Sequence, residues 1–427
     1  MLDRARTAVR DVPGGRDGRR MLLVQFIDKI GTGLWAAAVA LYFTYVTHLG
    51  VGQIGILVGV SGALGIAGAP LAGRLADRFP VTHVLIGSQL LRAAALLALL
   101  TTHDYALLLV LSAIGALPDR ASSVLNKLYA ARAAGPDRVR YQAVQRTIGN
   151  LGWAVGGLGA AAALSFATAA AYQALLIANV LSYVLMAALT ARCAEPQAPT
   201  RVVRTHDPKS TGAPDTRPPR PWRDRTFLLY TATEAVLFLD DAILQVGMPL
   251  WIVHATDAPV GLAPLILVLN SVLVVLFQVP FSRFGTTPAA ARRLLAPLAG
   301  AYALGCLALS ASTTDGRWTA TAAVLLAAVA LTFAEIIHAT VSWELSVHLA
   351  PAEAQGAYLG VHGLAPSVQR SAGPLIVTTV IAVGAPAWPV LAAVLAATCL
   401  AQNALVRRHE TATTTPLSVP PVTVSEH

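Results

Sequence analysis

The stretch from which the fold can be read is Gly73-Arg74-Leu75-Ala76-Asp77-Arg78-Phe79-Pro80, a short charged segment between two long apolar runs. One run lies near residues 52–72 and the other near 82–101. Each is close to the ~20 residues that a helix needs to span a bilayer. A connection this short makes the two helices neighbours, and its arginines favour the cytoplasmic side of a membrane. The stretch therefore predicts a transmembrane helical hairpin with a cytoplasmic turn.

The composition is typical of a polytopic membrane protein. The chain has 427 residues, of which 55% are hydrophobic and only 12% are charged, whereas soluble domains carry about 25% charged residues. The apolar runs are long and lack the period-2 alternation of a β-barrel, so the predicted fold class is all-α. The net charge of +9 reflects arginines in tails and alternate loops, and we expect no nucleic-acid partner. Three scattered cysteines, Cys193, Cys306 and Cys399, predict neither a disulfide framework nor a metal site.

Twelve apolar segments follow one another along the chain. They lie near residues 21–47, 52–72, 82–101, 104–131, 141–166, 169–191, 226–253, 261–281, 291–311, 318–348, 355–383 and 386–406. Loops after even-numbered segments contain most of the loop arginines, and loops after odd-numbered segments contain almost none apart from Arg317. The loop at 349–354 contains neither Lys nor Arg. The overall bias predicts twelve transmembrane helices with both termini in the cytoplasm.

One long polar stretch, residues 193–225, separates segments six and seven. It is rich in Pro and Arg and has too few apolar side chains to bury a core, so we expect a flexible cytoplasmic linker that lies against anionic lipid. The predicted organisation is a cytoplasmic tail at 1–20, a six-helix bundle at 21–192, the linker at 193–225, a second six-helix bundle at 226–408 and a disordered cytoplasmic tail at 409–427.

The charged segment resembles a known motif. Gly73, Asp77 and Arg78 match the Gly-x-x-x-Asp-Arg core of the loop between helices 2 and 3 of the major facilitator superfamily, although Pro80 stands where a second glycine is expected. Residues 21–45, Arg120 and residues 138–152 are similar to the drug-exporter-like branch of that family. The resemblance implies two six-helix halves that rock around a central site. It also implies that Gly73, Asp77 and Arg78 form a gating loop and that helices 1, 4, 7 and 10 surround the cavity.

Two rows of glycines follow a helical period. They are Gly55, Gly59 and Gly62 in segment two and Gly356, Gly360 and Gly363 in segment eleven. The i, i+4, i+7 spacing puts each row on one helical face, and small residues let helix backbones approach closely. Because the resemblance places helices 2 and 11 at the interface between the halves, we expect the two rows to form a surface on which the halves move. Tight packing without motion is the alternative.

Ionisable residues within the apolar segments are the main candidates for mechanism, because each costs about 2.5–3.5 kcal/mol or more at mid-bilayer. We assign to a proton-coupling and substrate cavity Asp28, Asp119, Arg120, Glu234, Asp241, Glu335 and His338. Arg92, Arg146, Asp240 and Arg370 lie in the same segments, and we expect Glu344 to contact the interface or a gate near the cytoplasmic end. His338 titrates nearest to neutrality when unperturbed. A hydrogen-bonded packing role is its alternative.

Depth within the bilayer favours one pair among these residues. Asp28 lies about 10 Å from the cytoplasmic start of its segment, and Arg120 lies roughly 16 Å from the cytoplasmic end of its own. The arginine side chain can cover the difference, so we predict an Asp28–Arg120 pair in which the arginine tunes the protonation of the acid. Asp119 lies about 100° around the helix from Arg120. A permanent structural salt bridge is the alternative to a coupling role.

Motif searches exclude several kinds of catalyst. The chain contains no GxxxxGK[ST] phosphate loop, no HExxH and no GxSxG, which argues against an ATP-driven pump and against common hydrolases. We predict a monomeric secondary transporter of the bacterial cell membrane that needs no cofactor and uses the proton gradient to export a small amphipathic compound. Its expected partners are that compound, protons and lipids. An importer or facilitator of a polar metabolite is one alternative, and a non-transporting membrane enzyme or sensor is another.

Overall fold

The structure, a computed structural model, describes residues 13–164, 168–196, 219–314 and 316–414. Within these ranges the chain forms helices and connecting turns and no strand. The helices are α1 (Gly15–Tyr45), α2 (Val51–Gly65 and Gly68–Arg78), α3 (Val81–Leu99), α4 (Tyr105–Ala134), α5 (Arg138–Leu164), α6 (Ala169–Thr190), α7 (Arg225–Leu237, Leu239–Ala242 and Met248–Ala255), α8 (Leu262–Ser282), α9 (Pro288–Arg293 and Leu295–Ala311), α10 (Arg317–His348), α11 (Gln355–His362 and Leu364–Val383) and α12 (Ala387–Thr414). The predicted all-α fold class is confirmed.

Nine helical segments of the described chain are long and apolar enough to cross a membrane. One of them, Tyr105–Ala160, contains two antiparallel helices, α4 and most of α5, joined at the short turn Gly135–Asp137. The two remaining long helices are α1, which carries Asp28 near its middle, and α11, which carries Arg370 and is interrupted at Gly363. Together these segments make the predicted twelve-helix arrangement.

Alternate connections lie at one end of the bundle. There the Ala194 amide donates to Asp17 at 3.1 Å, and the Val81 amide donates to Glu195 at 2.7 Å. These bonds tie the start of α1, the α2–α3 turn and the end of α6 together. We call this end the basic end, because it carries the loop arginines, including Arg74, Arg78, Arg138 and Arg140. The other end, with the connections near residues 46–50 and 100–104, is called the opposite end.

The helices pack into two halves, each around its own apolar core. The second-half core contains buried residues from Phe227 to Val406. The first-half core runs from Met21 to Cys193 and also takes in Val347 of α10 and Leu359 of α11. Burial of such surface is worth about 25 cal/mol per Å² in water. Inside a membrane, close packing of the helices provides the stabilisation that apolar burial provides in water.

Helix α7 is broken near its middle. Its first part ends at Leu237, and a π-helical turn at Ile243–Gly247 follows the acidic pair Asp240 and Asp241. A π-turn widens the helix locally and is common at functional sites. Here it lies beside the two carboxylates and keeps Gly247 close to Val377, since a Cβ at Gly247 would lie 2.6 Å from a methyl group of Val377.

Two helices extend into the segments predicted as terminal tails. Helix α1 begins at Gly15 instead of residue 21, and α12 continues to Thr414 instead of ending at 408. The arginine-rich first turns of α1 and the polar last turns of α12 are therefore helical, because a helix need not end where its apolar surface does. Most of the predicted flexible linker (197–218) and the tail from 415 lie outside the described residues.

Candidate functional site

A cavity of about 340 Å³ opens among α1, α2, α3, α4 and α6 of the first half. Its apolar wall consists mainly of Trp35, Phe43, Leu57, Val58, Leu96, Leu99 and Leu111, and its polar wall consists of Thr32, Ser61, Arg92, Ser112, Asp119, Arg120, Asn179 and Tyr183. Phe43 and Leu99 lie at the opposite-end termini of their helices. The cavity therefore runs from a charged group in the bundle towards the opposite end, and its wall is amphipathic.

Arg92 of α3 holds the charged group together. Its guanidinium donates to Asp28 of α1 at 2.8 Å and to Asp119 of α4 at 2.9 Å. It also donates to the Tyr183 hydroxyl at 3.0 Å and lies 4.2 Å from the centre of that ring. Arg92 and Asp28 are buried, whereas the Asp119 side chain is 44% exposed. A planar guanidinium has enough donors to bind two carboxylates at once.

The predicted Asp28–Arg120 pair does not form in this structure. Arg92, from a different helix, occupies the position expected of Arg120. Depth along two helices was compared correctly, but depth does not say which way each side chain points. The sequence shows that Arg92 is an ionisable residue within an apolar segment. Residue spacing does not show that this third helix brings a cation closer to Asp28 than Arg120 is.

Arg120 lines the cavity without an ion pair. Within the described residues, no carboxylate lies within 4 Å of Arg120 or of two other cations, Lys29 of α1 and Arg370 of α11. Arg370 is exposed and lies near enough to Arg120 and Asp119 to act on both electrostatically. Lys29 acts on Asp119 in the same way. Arg120, Lys29 and Arg370 are thus three cations of the described chain that are not in ionic contact with an acid.

The second half contains a buried polar network. Glu234 of α7 accepts hydrogen bonds from the Ser342 hydroxyl and from Gln402 at 2.6 Å, and it lies 3.3 Å from His362. His338 lies 2.9 Å from Asp240.

Every member of this network is nearly inaccessible, with exposures from 0% for Glu234 to 4% for Ser342. Glu234 and His338 were predicted site residues, and the structure brings them together. The missed residues are His362 and Gln402. Each of the two is a polar side chain within an apolar segment, and this pattern is the sequence signal that could have identified it. Among the described residues, no group of His, Cys, Asp or Glu is arranged to hold a metal ion.

Glu335 and Asp241 lie nearer to the space between the halves. Glu335 of α10 forms an ion pair with Arg146 of α5 and accepts a hydrogen bond from Asn270 of α8 at 2.7 Å. The pair therefore joins the two halves. Asp241 accepts a hydrogen bond from Gln245 one turn further along α7. Two of the predicted site residues thus face the interface instead of the buried network.

At the basic end, three polar contacts bridge the halves. The Asp77 carboxylate accepts from the Gly356 and Ala357 amides at 2.8 and 2.7 Å, so it caps the first turn of α11. Arg138 of α5 donates two hydrogen bonds to Glu344 of α10, at 2.8 and 2.6 Å.

The third contact runs from Lys127 of α4 to the Ser346 hydroxyl at 2.6 Å. Asp77 and Glu344 thus lie where a latch between the halves requires them. Arg78 and Gly73 belong to the same segment of α2.

Glycines permit the close approach at this end. A Cβ at Gly73 would lie 2.1 Å from the Gly356 carbonyl oxygen, and one at Gly360 would lie 2.8 Å from that of Ala69. In contrast, Gly59 and Gly62 face open space, with nothing within 4 Å of an added Cβ. The glycine row of α11 is therefore packed against α2, whereas these two members of the α2 row have no neighbour in this conformation.

The sequence profile of the Major Facilitator Superfamily matches residues 21–374. The chain belongs to this superfamily. Among solved structures it is similar to a bacterial homologue of the iron transporter ferroportin in an outward-facing state, at 14% identity and a TM-score of 0.68 over 93% of this chain and 100% of that one. It is also similar to the transporter FucP in the outward conformation, at 15% identity and a TM-score of 0.70 over 91% and 98% of the chains.

A third similar structure is the human organic anion transporter MFSD10, at 16% identity and a TM-score of 0.62 over 91% and 99% of the chains. Identities this low establish the shared fold. No curated protein sequence matches the chain. Membership of the superfamily identifies the molecule as an integral membrane transporter of a small solute and excludes the alternative of a membrane enzyme.

Proposed function

We propose that this transporter exports a small amphipathic compound from a bacterial cell in exchange for protons. The observation that carries the proposal is the cavity of the first half, whose wall combines apolar side chains with Arg92, which binds both the partly exposed Asp119 in the wall and the buried Asp28 behind it. Apolar walls with a few placed polar groups are typical of small-molecule sites. Intramembrane acids are typical of proton relays.

The basic end faces the cytoplasm in this proposal, because loop arginines concentrate there. The closed basic end and the cavity directed to the opposite end then correspond to an outward-facing state. Transport requires the reverse movement, in which the Asp77 and Glu344 contacts open and α2 approaches α11 at the opposite end. The open space beside Gly59 and Gly62 provides the room for that approach.

Protons are coupled to this movement through Asp28, Arg92 and Asp119. The partly exposed Asp119 carboxylate gives access from the cavity, and Arg92 connects it to the buried Asp28. Protonation of a carboxylate removes its charge and weakens its hold on Arg92. Breaking a buried ion pair costs about 3–5 kcal/mol. A two-state equilibrium shifts from 1:99 to 99:1 with about 5.5 kcal/mol, so one proton supplies a large part of the required bias.

The buried network of Glu234, His338 and Asp240 is assigned a structural role in the present state. Its carboxylates are inaccessible and are bound to donors from the same half. A proton entering from the cavity reaches Asp119 first. From Asp119 the proton passes to the buried Asp28, which is the principal coupling acid in this proposal, and Arg92 replaces Arg120 as its tuning partner.

The test is solute flux in proteoliposomes. Purified protein is first screened for thermal stabilisation by small amphipathic compounds at two pH values. A stabilising compound is then loaded under a pH gradient of either sign. We expect the compound to move across the membrane in the direction opposite to that of the protons. Movement in the same direction as protons would favour the second candidate, import by symport, an activity named for a similar structure, the E. coli fucose:proton symporter.

A further inference from the structure

Three buried polar atoms lining the first-half cavity have no hydrogen-bond partner in the described structure. They are the hydroxyl oxygens of Ser61 and Ser112 and the side-chain amide nitrogen of Asn179. The Asn179 oxygen already accepts from Ser182 at 3.2 Å, so its free group is the donor. Buried polar groups are nearly always paired in proteins. Hydroxyl and amide groups along one cavity can donate hydrogen bonds to a ligand that carries acceptors.

The charged groups of the same region also favour a ligand that accepts hydrogen bonds. The carboxylates of Asp28, Asp119 and Glu335 are bound to arginines, whereas Arg120 and Arg370 have no carboxylate within 4 Å in the part of the chain that the structure describes. Arg120 lines the cavity in the first half, and Arg370 is exposed on α11 of the second half. A ligand that reaches between them meets two guanidinium groups without ion-pair partners, and the Asp241 carboxylate also lies within electrostatic reach of Arg370.

We propose that the transported compound is an amphipathic organic anion, whose acidic group binds between Arg120 and Arg370 and whose apolar body lies along Trp35, Phe43 and Leu96. The inference rests on the transport function proposed above and names its substrate class. Guanidinium groups bind carboxylates and sulfonates through paired hydrogen bonds. The apolar wall accommodates the remaining part of the molecule.

This arrangement also links binding to movement of the halves. Arg120 and Arg370 carry like charges on different halves and lie within electrostatic reach of each other, so moving them closer together costs free energy. An anion between them removes the repulsion and binds both halves. A ligand shifts a conformational equilibrium only by its difference in affinity for the two states. Here the difference comes from contact with one arginine in the open state and with two in the closed state.

The experiment uses the full-length protein in detergent and a panel of matched compounds. Naphthalene, biphenyl and indole bodies each carry a carboxylate, a sulfonate, a primary amine or a neutral amide. We expect the acids to raise the melting temperature more than the amines or amides do. Arg120→Gln and Arg370→Gln should weaken acid binding at least tenfold and weaken amide binding by a smaller factor. Arg120→Lys, which keeps the charge, should restore part of the affinity.

Arg317→Gln is the matched control, because Arg317 is exposed at the start of α10 at the opposite end. It should leave all binding unchanged. The proposal is overturned if no acid stabilises the protein, if amines stabilise it more than acids do, or if the arginine variants bind the acids like wild type. Flux measurements separate failure of the anion proposal from failure of the transport proposal. Transport of an amine or amide would refute the anionic substrate and leave the transport function intact. Acid binding without flux of any compound would refute the transport function alone.

Discussion

Arg92 of α3 contacts side chains from three other helices of the first half. One buried guanidinium neutralises two carboxylates from two other helices and lies against the Tyr183 ring. Neither Asp28 nor Asp119 has another cation within 4 Å in the described chain. Removing Arg92 therefore leaves two acids close together in a low-dielectric environment, whereas removing Arg120 breaks no ion pair.

We expect Arg92→Met to lower the stability of the folded protein by about 3–5 kcal/mol, because it leaves buried charge uncompensated. Arg120→Met should cost less than about 1 kcal/mol, the usual limit for a charge without a buried partner. Thermal melting in detergent measures both. Adding Asp28→Asn to Arg92→Met should recover part of the loss. Equal effects of the two arginine substitutions would show that Arg92 does not hold the group together.

Asp28→Asn tests the coupling role of the acid. The amide keeps the size and one acceptor but cannot take up a proton, so the variant should bind substrate and release no protons on binding. Proton release from solubilised protein into a weakly buffered solution measures this. Asp137→Asn, an exposed change at the basic end, is the control and should behave like wild type. Wild-type proton release by the Asp28 variant would move the coupling acid to Asp241 or Glu335.

At the scale of helices, α2 and α11 meet at one end and separate at the other. Gly360 packs against the α2 backbone, whereas Gly59 faces open space. Two substitutions of the same size should consequently have opposite effects. Gly360→Val forces α11 away from α2 at the basic end. Gly59→Val is tolerated in the present state and blocks the approach of α2 at the opposite end.

Reporter cysteines measure this difference. Val58→Cys lines the cavity and is exposed, and Ser346→Cys is buried among the basic-end contacts. Because Ser346→Cys also removes the hydroxyl that accepts from Lys127, each background is compared with the Ser346→Cys protein itself. In the Gly360→Val background we expect faster labelling at position 346 and slower labelling at position 58. In the Gly59→Val background position 58 should label as fast as or faster than in the parent. The native cysteines are buried. Identical labelling in both backgrounds would contradict the proposed movement.

For the whole molecule, the balance between states depends on the contacts that close the basic end. Asp77→Asn replaces a carboxylate that accepts two backbone amides, and hydrogen bonds to charged groups are worth about 1.5–3 kcal/mol each. Asp77→Asn should reduce flux while membrane insertion stays normal. Combining it with Glu344→Gln, which also loses the Arg138 pair, should favour the state that is open at the basic end. Flux and Ser346→Cys labelling measure this, and unchanged values in the double variant would exclude a latch.

Much of this architecture is local in sequence. Twelve apolar segments, arginine-rich alternate loops and a polar stretch between two sets of six predict the number, order and orientation of the helices, because crossing a membrane depends on the hydropathy of each segment alone. The superfamily likewise follows from Gly73, Asp77 and Arg78 and the helices around them. These features do not depend on how the helices pack.

The pairing of side chains was decided only by the tertiary structure. Both Arg92 and Arg120 lie at a plausible depth, but the rotation of α3 and α4 about their axes directs Arg92 to Asp28 and leaves Arg120 in the cavity wall. In the same way, packing of α7, α10, α11 and α12 places His362 and Gln402 beside Glu234. Rotation and packing are collective properties of many residues. The sequence therefore determined which ionisable groups lie in the membrane, and the fold determined which of them form ion pairs and which do not.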